Sequence, residues 1–428
     1  MTLNWQDPTF WQPQALDTEL RRVGDICHGC RRCFNLCPSF GSLFNALDRP
    51  EVDGEAEKLT ARDLHTVTDL CYQCKLCFNH CPYTPPHRWN IDVPRLMLRA
   101  KAVQVRQRGQ SLSDRFLGHV DFIGRLNSWL APLSNWLLRL PFNRVAMEYV
   151  VGIHRKRQLP CYHRRTFARW FRRQERTHIQ ATPAPSAHAA LFYTCSVNFN
   201  DPDVGVAATR VLQHNNIRVS CPQQRCCGMP FLDGGDIAAA VTNARRNVTS
   251  LAPLVKAGAS VVVPGPTCSY VLKRDYPELL GTDDAKLVAE HTFDLCEYLM
   301  KRHAEGQLQT RFIKPMGTVA YQLPCHLKAQ NIGYKSRDLM ALIPGTRVHL
   351  VEKCAGVDGT WGLKREYFDL SVKIAEPMVH ALQAPVPDHL VSDCSLAALQ
   401  IAQGTGRATR HPIQILAAAY GLDGAKGS

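Results

Sequence analysis

The 428-residue sequence predicts an α+β multidomain protein with a helical N-terminal module, a basic helical connector and two repeated α/β domains. Three observations predict it. One cysteine spacing occurs twice near the N-terminus, the chain's positive excess falls in one stretch of helical periodicity, and a strand-and-cysteine pattern recurs about 130 residues on. A single core is not expected at this length, because cores stop growing near ~250–300 residues.

The cysteine spacing reads CHGCRRCFNLCP from Cys27 to Pro38 and CYQCKLCFNHCP from Cys71 to Pro82, each Cys-x2-Cys-x2-Cys-x3-Cys-Pro. In this bacterial ferredoxin run three close thiolates grip one face of a [4Fe-4S] cube and the fourth ligates the other cluster. The spacing assigns Cys27, Cys30, Cys33 and Cys81 to one cluster, and Cys71, Cys74, Cys77 and Cys37 to the second. Zinc is the alternative, but zinc sites use paired Cys-x2-4-Cys. Between Cys37 and Cys71 lie 33 residues, more than a minimal ferredoxin spends, and EAEKLTARDLHTV among them has helical intervals. Residues 1–105 are therefore expected as a helical two-cluster ferredoxin module, similar to that of respiratory dehydrogenase subunits.

Residues 106–180 are expected as a basic amphipathic helical segment. From Arg95 to Arg176 there are 18 Lys/Arg against 4 Asp/Glu, a difference equal to the formal net charge of +14 for the whole chain. Leu112, Phe116, Val120, Ile123, Leu126, Leu130, Leu133, Leu137 and Leu140 recur at steps of three or four, the period of a helix face. Trp129 and Trp136 share a neighbouring stripe, and Pro132 and Pro141 divide the stretch into short helices. Such a segment is expected to lie on a membrane surface, each nearby Lys or Arg adding about 1 kcal/mol of attraction to anionic lipid. A hairpin packed on its own protein with a solvated basic face is the alternative. Nucleic acid is a third, which no recognised motif accompanies.

ATPAPSAHA, from Ala181 to Ala189, reads as a linker. The first repeat, residues 188–308, holds AALFYTC ending at Cys195, IRVSCPQQRCCGMP with Cys226 and Cys227, and SVVVPGPTC ending at Cys268. The second, residues 316–424, holds GTVAYQLPC ending at Cys325, RVHLVEKCAGVDG with Cys354, and HLVSDCSLA with Cys394. Offsets of 130 for Cys195 and Cys325, 128 for Cys226 and Cys354, and 129 for Gly265 and Cys394 indicate duplication. β-Branched runs alternating with helical patterns predict parallel sheets, with the cysteines at strand ends where open α/β folds place their ligands.

The stretches CSVNFNDP, RCCGMP, LPCHL, GVDGTWGLKREY and HPIQIL resemble the cysteine-rich CCG-domain (heterodisulfide reductase B-like) family of iron–sulfur electron-transfer subunits. The order of motifs is most similar to the branch containing the C subunit of anaerobic glycerol-3-phosphate dehydrogenase. YTPPHRWNIDVPRLMLRA is longer and more Pro- and aromatic-rich than that branch leads one to expect, and suggests a sister branch. The resemblance implies a subunit that takes electrons from a flavoprotein dehydrogenase toward membrane quinone. In complete members each repeat supplies a lone Cys, a Cys-Cys-Gly and a Cys-x2-Cys, five thiolates for an unusual [4Fe-4S] cluster. Here Gly265 replaces one thiol of the first repeat, and Ala355 and Ala397 replace two of the second. Cys195, Cys226, Cys227 and Cys268 remain for a third centre, an additional Fe-S cluster or zinc. Cys325, Cys354 and Cys394 make a weak fourth, needing help from His326, Asp393 or a cofactor. Inert buried thiols are the alternative for all of these, and the expectation for Cys161 and Cys296.

No constellation for substrate chemistry is visible, and no G-x-G-x-x-G opens a helix after a strand, so substrate oxidation is expected on a partner. His119, His154, His163 and His178 lie in or beside the basic segment, where a quinone could be protonated, although lone histidines are more often surface or core groups. Besides the relay, two readings stand: a disulfide- or quinone-reducing enzyme with its cluster in the first repeat, and a soluble donor to a peroxide- or oxygen-reducing partner. The start, MTLNWQDPTFWQPQ, lacks a basic stretch followed by an apolar run, and no apolar run reaches the ~18 residues of a membrane span. A cytoplasmic chain, peripheral on the inner face of the membrane, is expected.

Overall fold

The structure is a computed structural model and describes residues 3–177 and 185–423. Each repeat forms a four-stranded, all-parallel sheet. In the first, β1 (Ala187–Leu191), β2 (Ile217–Ser220), β3 (Ser260–Val263) and β4 (Thr292–Asp294) stand in the order β2-β1-β3-β4. In the second, β5 (Thr318–Gln322), β6 (Arg347–Val351), β7 (His389–Ser392) and β8 (Thr409–Arg410) stand in the order β6-β5-β7-β8, strand for strand the same. Val261, Val262 and Val263 are wholly buried, as a strand covered by helices on both faces requires. The strand order reverses direction at β1/β3 and at β5/β7, and the segments leaving those strands carry Cys195, Cys268, Cys325 and Cys394.

Part of the expected linker is strand: Ala187, His188 and Ala189 pair with Ile217, Arg218 and Val219. Small side chains permit this, and Ala189 is fully buried beneath the crossing helices. Residues 181–184 and His178 lie outside the described residues. The two repeats share one core, in which Phe167, Val211 and Leu299 belong to the same cluster as Tyr321, Leu339, Ile413 and Leu416. Burying each such side chain contributes about 1.5–3 kcal/mol. A polar network crosses this core: Asp393 accepts from Tyr321 Oη at 2.7 Å and Ser336 Oγ at 2.6 Å, with the Cys296 thiol 3.8 Å away. Cys296 is buried there, whereas Cys161, expected as buried, is exposed.

The N-terminal module is helical. Its first helix (Pro13–Cys30) stops at a cysteine because Arg31 turns left-handed at φ 51°. The helix Pro38–Leu47 starts with proline directly after Cys37, and a Thr60/Asp63 capping box starts Ala61–Asp69 within the stretch of helical intervals. The exit helix Val93–Arg108 runs three residues past the expected boundary at 105. Its buried Arg95 guanidinium pairs with the buried Asp275 and, at 3.0 Å, with Glu278, fastening the module to the first repeat.

The connector is a set of short helices (Leu112–Gly118, Val120–Trp129, Ala131–Leu137, Pro141–Val150 and Phe167–Thr177), with Pro132 and Pro141 at helix starts. It is built inside out. The face turned to the protein carries small groups, Gly124, Ser128, Ala131 and Ser134, and a Cβ at Gly124 would collide with the Phe199 ring. Many of the large side chains point away, while others, among them Leu117 and Phe167, are buried. Eleven of the 15 exposed large hydrophobics among the described residues lie between Leu112 and Val150, including Phe122 at 67%, Trp129 at 69% and Phe142 at 84%. No helix among the described residues is long and apolar enough to cross a membrane.

Candidate metal centres and the path between them

Two cavities in the N-terminal module are each lined by four cysteines. One takes Cys27, Cys30 and Cys33 with Cys81, the other Cys71, Cys74 and Cys77 with Cys37, so the last cysteine of each run stands with the other run's three. Phe40 lines both. Backbone turns aim the ligands: Gln73 and Lys75, flanking Cys74, both adopt positive φ, at 58° and 65°, which non-glycine residues hold only where the surroundings demand it. Burial, then Cys33, pushes the Cys27 thiol up to about 12, and burial, then Cys71, does the same to Cys37. Crowded thiols that resist ionisation alone suit a polynuclear cation that takes the place of their protons, so the donor sets fit iron–sulfur groups. N–H groups also reach the sulfurs, from Tyr83 N to Cys81 Sγ at 3.4 Å and from Gln73 Nε2 to Cys71 Sγ at 3.5 Å. Lys75 is buried beside the second set, its ammonium held by Gln73 Oε1.

The second set abuts the second repeat. Tyr72 Oη lies 3.5 Å from Cys354 Sγ, and the Tyr72 ring packs on Trp361, whose Nε1 donates to the Asp69 carbonyl at 2.9 Å. Cys325 donates to Asp358 Oδ2 at 3.1 Å and feels the charges of Cys74 and Cys354. Cys394 lines a cavity together with the thiols of the first repeat, and its charge also reaches Cys325. Of the three thiols expected as a fourth centre, one therefore faces both repeats. Of the lost ligands, Ala355 packs against a cluster with Val351, Ala375 and Met378, and Ala397 is buried.

In the first repeat the thiols of Cys195, Cys226, Cys227 and Cys268 lie next to one another in that order. At Gly265, which also lines the cavity described next, a Cβ would come within 3.0 Å of Thr194 Cγ2, so that methyl would have to give by a few tenths of an ångström. These four cysteines line a cavity of about 300 Å³, and the connector supplies its apolar wall through Phe116, Val120, Ile123, Leu138 and Met147. Asp201 and His411 line it too. Burial, then Asp203, pushes the Asp201 carboxyl up to about 6. His411 Nδ1 accepts from the Ile413 N–H at 3.1 Å, so Nε2 carries the proton, and that donor has no partner.

Sequence reasoning missed Asp121. It counted there only as a charge in the connector, but its Oδ2 accepts the Cys226 N–H at 2.8 Å, and burial raises its pKa. No linear spacing announces a contact spanning 105 residues. Of the predicted histidines, His119, His154 and His163 do not line the cavity, and His154 instead stacks on Phe368 at 3.8 Å. Beside the connector a second cleft, of about 890 Å³, is lined by Arg125, Arg164, Arg169, Arg172, Arg225, Arg245 and Arg246, with no carboxylate among the described residues of its wall.

Comparison with known proteins agrees with this arrangement. The citrate utilization protein B Fer4-like domain matches residues 20–108, and the cysteine-rich CCG domain matches residues 189–273 and 319–402. The C subunit of anaerobic glycerol-3-phosphate dehydrogenase from Escherichia coli (strain K12) is 30% identical over 313 residues, 72% of this chain and 77% of that protein. The chain belongs to the CCG-domain family of iron–sulfur oxidoreductase subunits. Two more distant relatives are the B subunit of fumarate reductase (CoM/CoB) from Methanothermobacter marburgensis, 26% identical over 51% of this chain and 42% of that protein, and lactate utilization protein A of Bacillus pumilus, 24% identical over 53% and 94%. Within the CCG family the two repeats seen here are the two matched domains, and the Fer4-like match covers both four-cysteine cavities.

Proposed function

We propose that this protein is the electron-transfer subunit of a dehydrogenase complex, carrying electrons from a partner flavoprotein toward quinone in the membrane. The observation that carries this reading is the order of the cysteine sets. The set of Cys27 adjoins the set of Cys74, which adjoins Cys354 and Cys325 through Tyr72, and Cys394 then stands beside Cys268 of the first repeat. [4Fe-4S] clusters held by the two ferredoxin sets, and a third iron–sulfur centre at Cys195, Cys226, Cys227 and Cys268, supply one-electron storage at these positions.

The protein's own groups prepare the far end. Connector side chains keep the cavity apolar and of a size that admits a ring compound. Asp201, with its pKa near neutrality, gives and takes a proton, and the His411 Nε2–H offers a hydrogen bond to an oxygen that gains charge. The unpartnered apolar face of the connector lies in the membrane surface, and its arginines and the adjacent arginine-lined cleft attract anionic lipid. The names of the relatives, which include dehydrogenase and reductase subunits, support a multi-subunit setting.

Stopped-flow oxidation of the dithionite-reduced chain by a short-chain quinone tests the reading. Fast oxidation that Cys227→Ser slows at least 100-fold, with the ferredoxin signals still reducible, is expected. Oxidation of that variant at the wild-type rate would place the exit elsewhere.

A further inference from the structure

The second repeat holds too few thiols for a cluster, yet beside Cys325 it keeps a compact set of other donors. Cys325 Sγ lies 3.1 Å from Asp358 Oδ2, His326 Nδ1 lies 3.6 Å from Asp358 Oδ1, and the three ligand atoms lie within 4.8 Å of one another. Tetrahedral zinc sites, with Zn–S about 2.3 Å and Zn–N or Zn–O about 2.0–2.2 Å, put neighbouring ligand atoms roughly 3.3–3.7 Å apart. The 3.6 Å separation falls in that range, the 3.1 Å thiol contact is slightly shorter, and the third pair lies within 4.8 Å.

The histidine is also oriented for the task. Its Nε2 lies 3.0 Å from the Gln73 carbonyl, which can only accept, so Nε2 carries the proton and Nδ1 presents its lone pair. A carbonyl behind a ligating imidazole is the usual outer partner of a metal-bound histidine, and it fixes both tautomer and ring direction. The Thr267 hydroxyl, 2.9 Å from Nδ1, is the donor that a metal would displace by rotation of that hydroxyl. The set is enclosed: His326 is 1% exposed and the Asp358 side chain 8%.

We propose that Cys325, His326 and Asp358 bind one divalent transition-metal ion, a mononuclear site where complete repeats carry a cluster, with Cys354 the neighbouring thiol for the fourth position. A mixed sulfur, nitrogen and oxygen set suits zinc or ferrous ion. Binding replaces the Cys325 thiol proton, which leaves to solvent, and Nδ1 of His326 coordinates through its lone pair. Gln73 belongs to the ferredoxin module, Thr267 to the first repeat and the ligands to the second, so the ion fastens three units at their meeting point. Asp358 takes over ligation that Ala355 and Ala397 no longer provide.

Metal, iron and sulfide analysis of the anaerobically purified full chain tests this. The expected result is one equivalent of zinc, or of iron in excess of sulfide, that is lost in Asp358→Asn and His326→Gln at unchanged sulfide and retained in Asp358→Cys. Cobalt(II) added to chelator-treated wild-type chain should give a thiolate-to-metal charge-transfer band and intense tetrahedral d–d bands, a readout that needs no variant to fold. Three results would each overturn the proposal: no metal beyond the clusters with no thiolate band, metal retained fully in both Asp358→Asn and His326→Gln, or four iron and four sulfide lost together in Cys325→Ser.

Discussion

The two CCG repeats share strand order, parallel register and cysteine offsets of 128 to 130 residues, yet their pockets differ. The first keeps four neighbouring thiols beside an apolar cavity walled by the connector. The second keeps three, two beside the ferredoxin module and one, Cys394, that also lines the cavity of its sister. The frame outlasts the ligands because different residues maintain it. Val261 and Val391 stabilise the sheets whether or not a thiol follows, and Ala355, where a ligand is missing, adds to the core instead. What a repeat does then depends on what its strand ends face.

The largest expected effect separates the repeats directly. Cys227→Ser should lower iron by about four per chain, the content of one [4Fe-4S] cluster, whereas Cys354→Ser should leave cluster iron unchanged. Iron and sulfide assays with EPR on the same samples check this. Equal losses in both variants would mean that the second repeat is a cluster site after all.

This contrast shows what was legible in the sequence. Cysteine spacing placed both ferredoxin sets and the duplication, because short-range ligand geometry and strand alternation leave a period in the chain. Asp121 on Cys226, Tyr72 on Cys354 and Lys75 beside the second set carry no period, since tertiary packing brings them there. The connector shows a subtler limit. Its apolar stripe was visible, but a 3.6-residue period reads the same whether the stripe faces inward or outward. Only the close contact between Gly124 and Phe199 reveals that the small-residue stripe is the packed one.

That outward face sets the next effect. Flotation with anionic liposomes should show binding that weakens with salt, and Trp129→Ser with Trp136→Ser should cut it by roughly tenfold or more, given about 1.5–3 kcal/mol for burying one large apolar side chain. Binding unchanged by the double variant would assign the face to a protein partner.

Asp121→Asn probes the first centre more gently. Removing a buried negative charge next to Cys226 should raise the potential of that centre by on the order of 50–100 mV at pH 8, by Coulomb's law at an effective dielectric near 20, and leave the ferredoxin potentials in place. A redox titration followed by EPR reads both. A shift shared by all centres would indicate a global structural change.

The smallest effect concerns Asp201, whose counterpart 130 residues on is Asn331. Burial, then Asp203, lifts its pKa from 3.8 to about 6 in the folded chain. A carboxyl raised on folding gives its full stability below about pH 4 and loses it as pH rises through about 6, a change of about 2–3 kcal/mol at 1.36 kcal/mol per unit. Its side chain makes no cap hydrogen bond to the helix Pro202–His214, so Asn forfeits no bond there. Asp201→Asn should therefore match wild type in thermal unfolding at pH 4 and exceed it at pH 7.5. If the same variant also slows quinone reduction at pH 7.5, the carboxylate is retained in the first repeat at a cost in stability because it handles a proton. A gain in stability with no change in rate would make Asn331 simply the better residue, and the asymmetry between the repeats at this position an accident of drift.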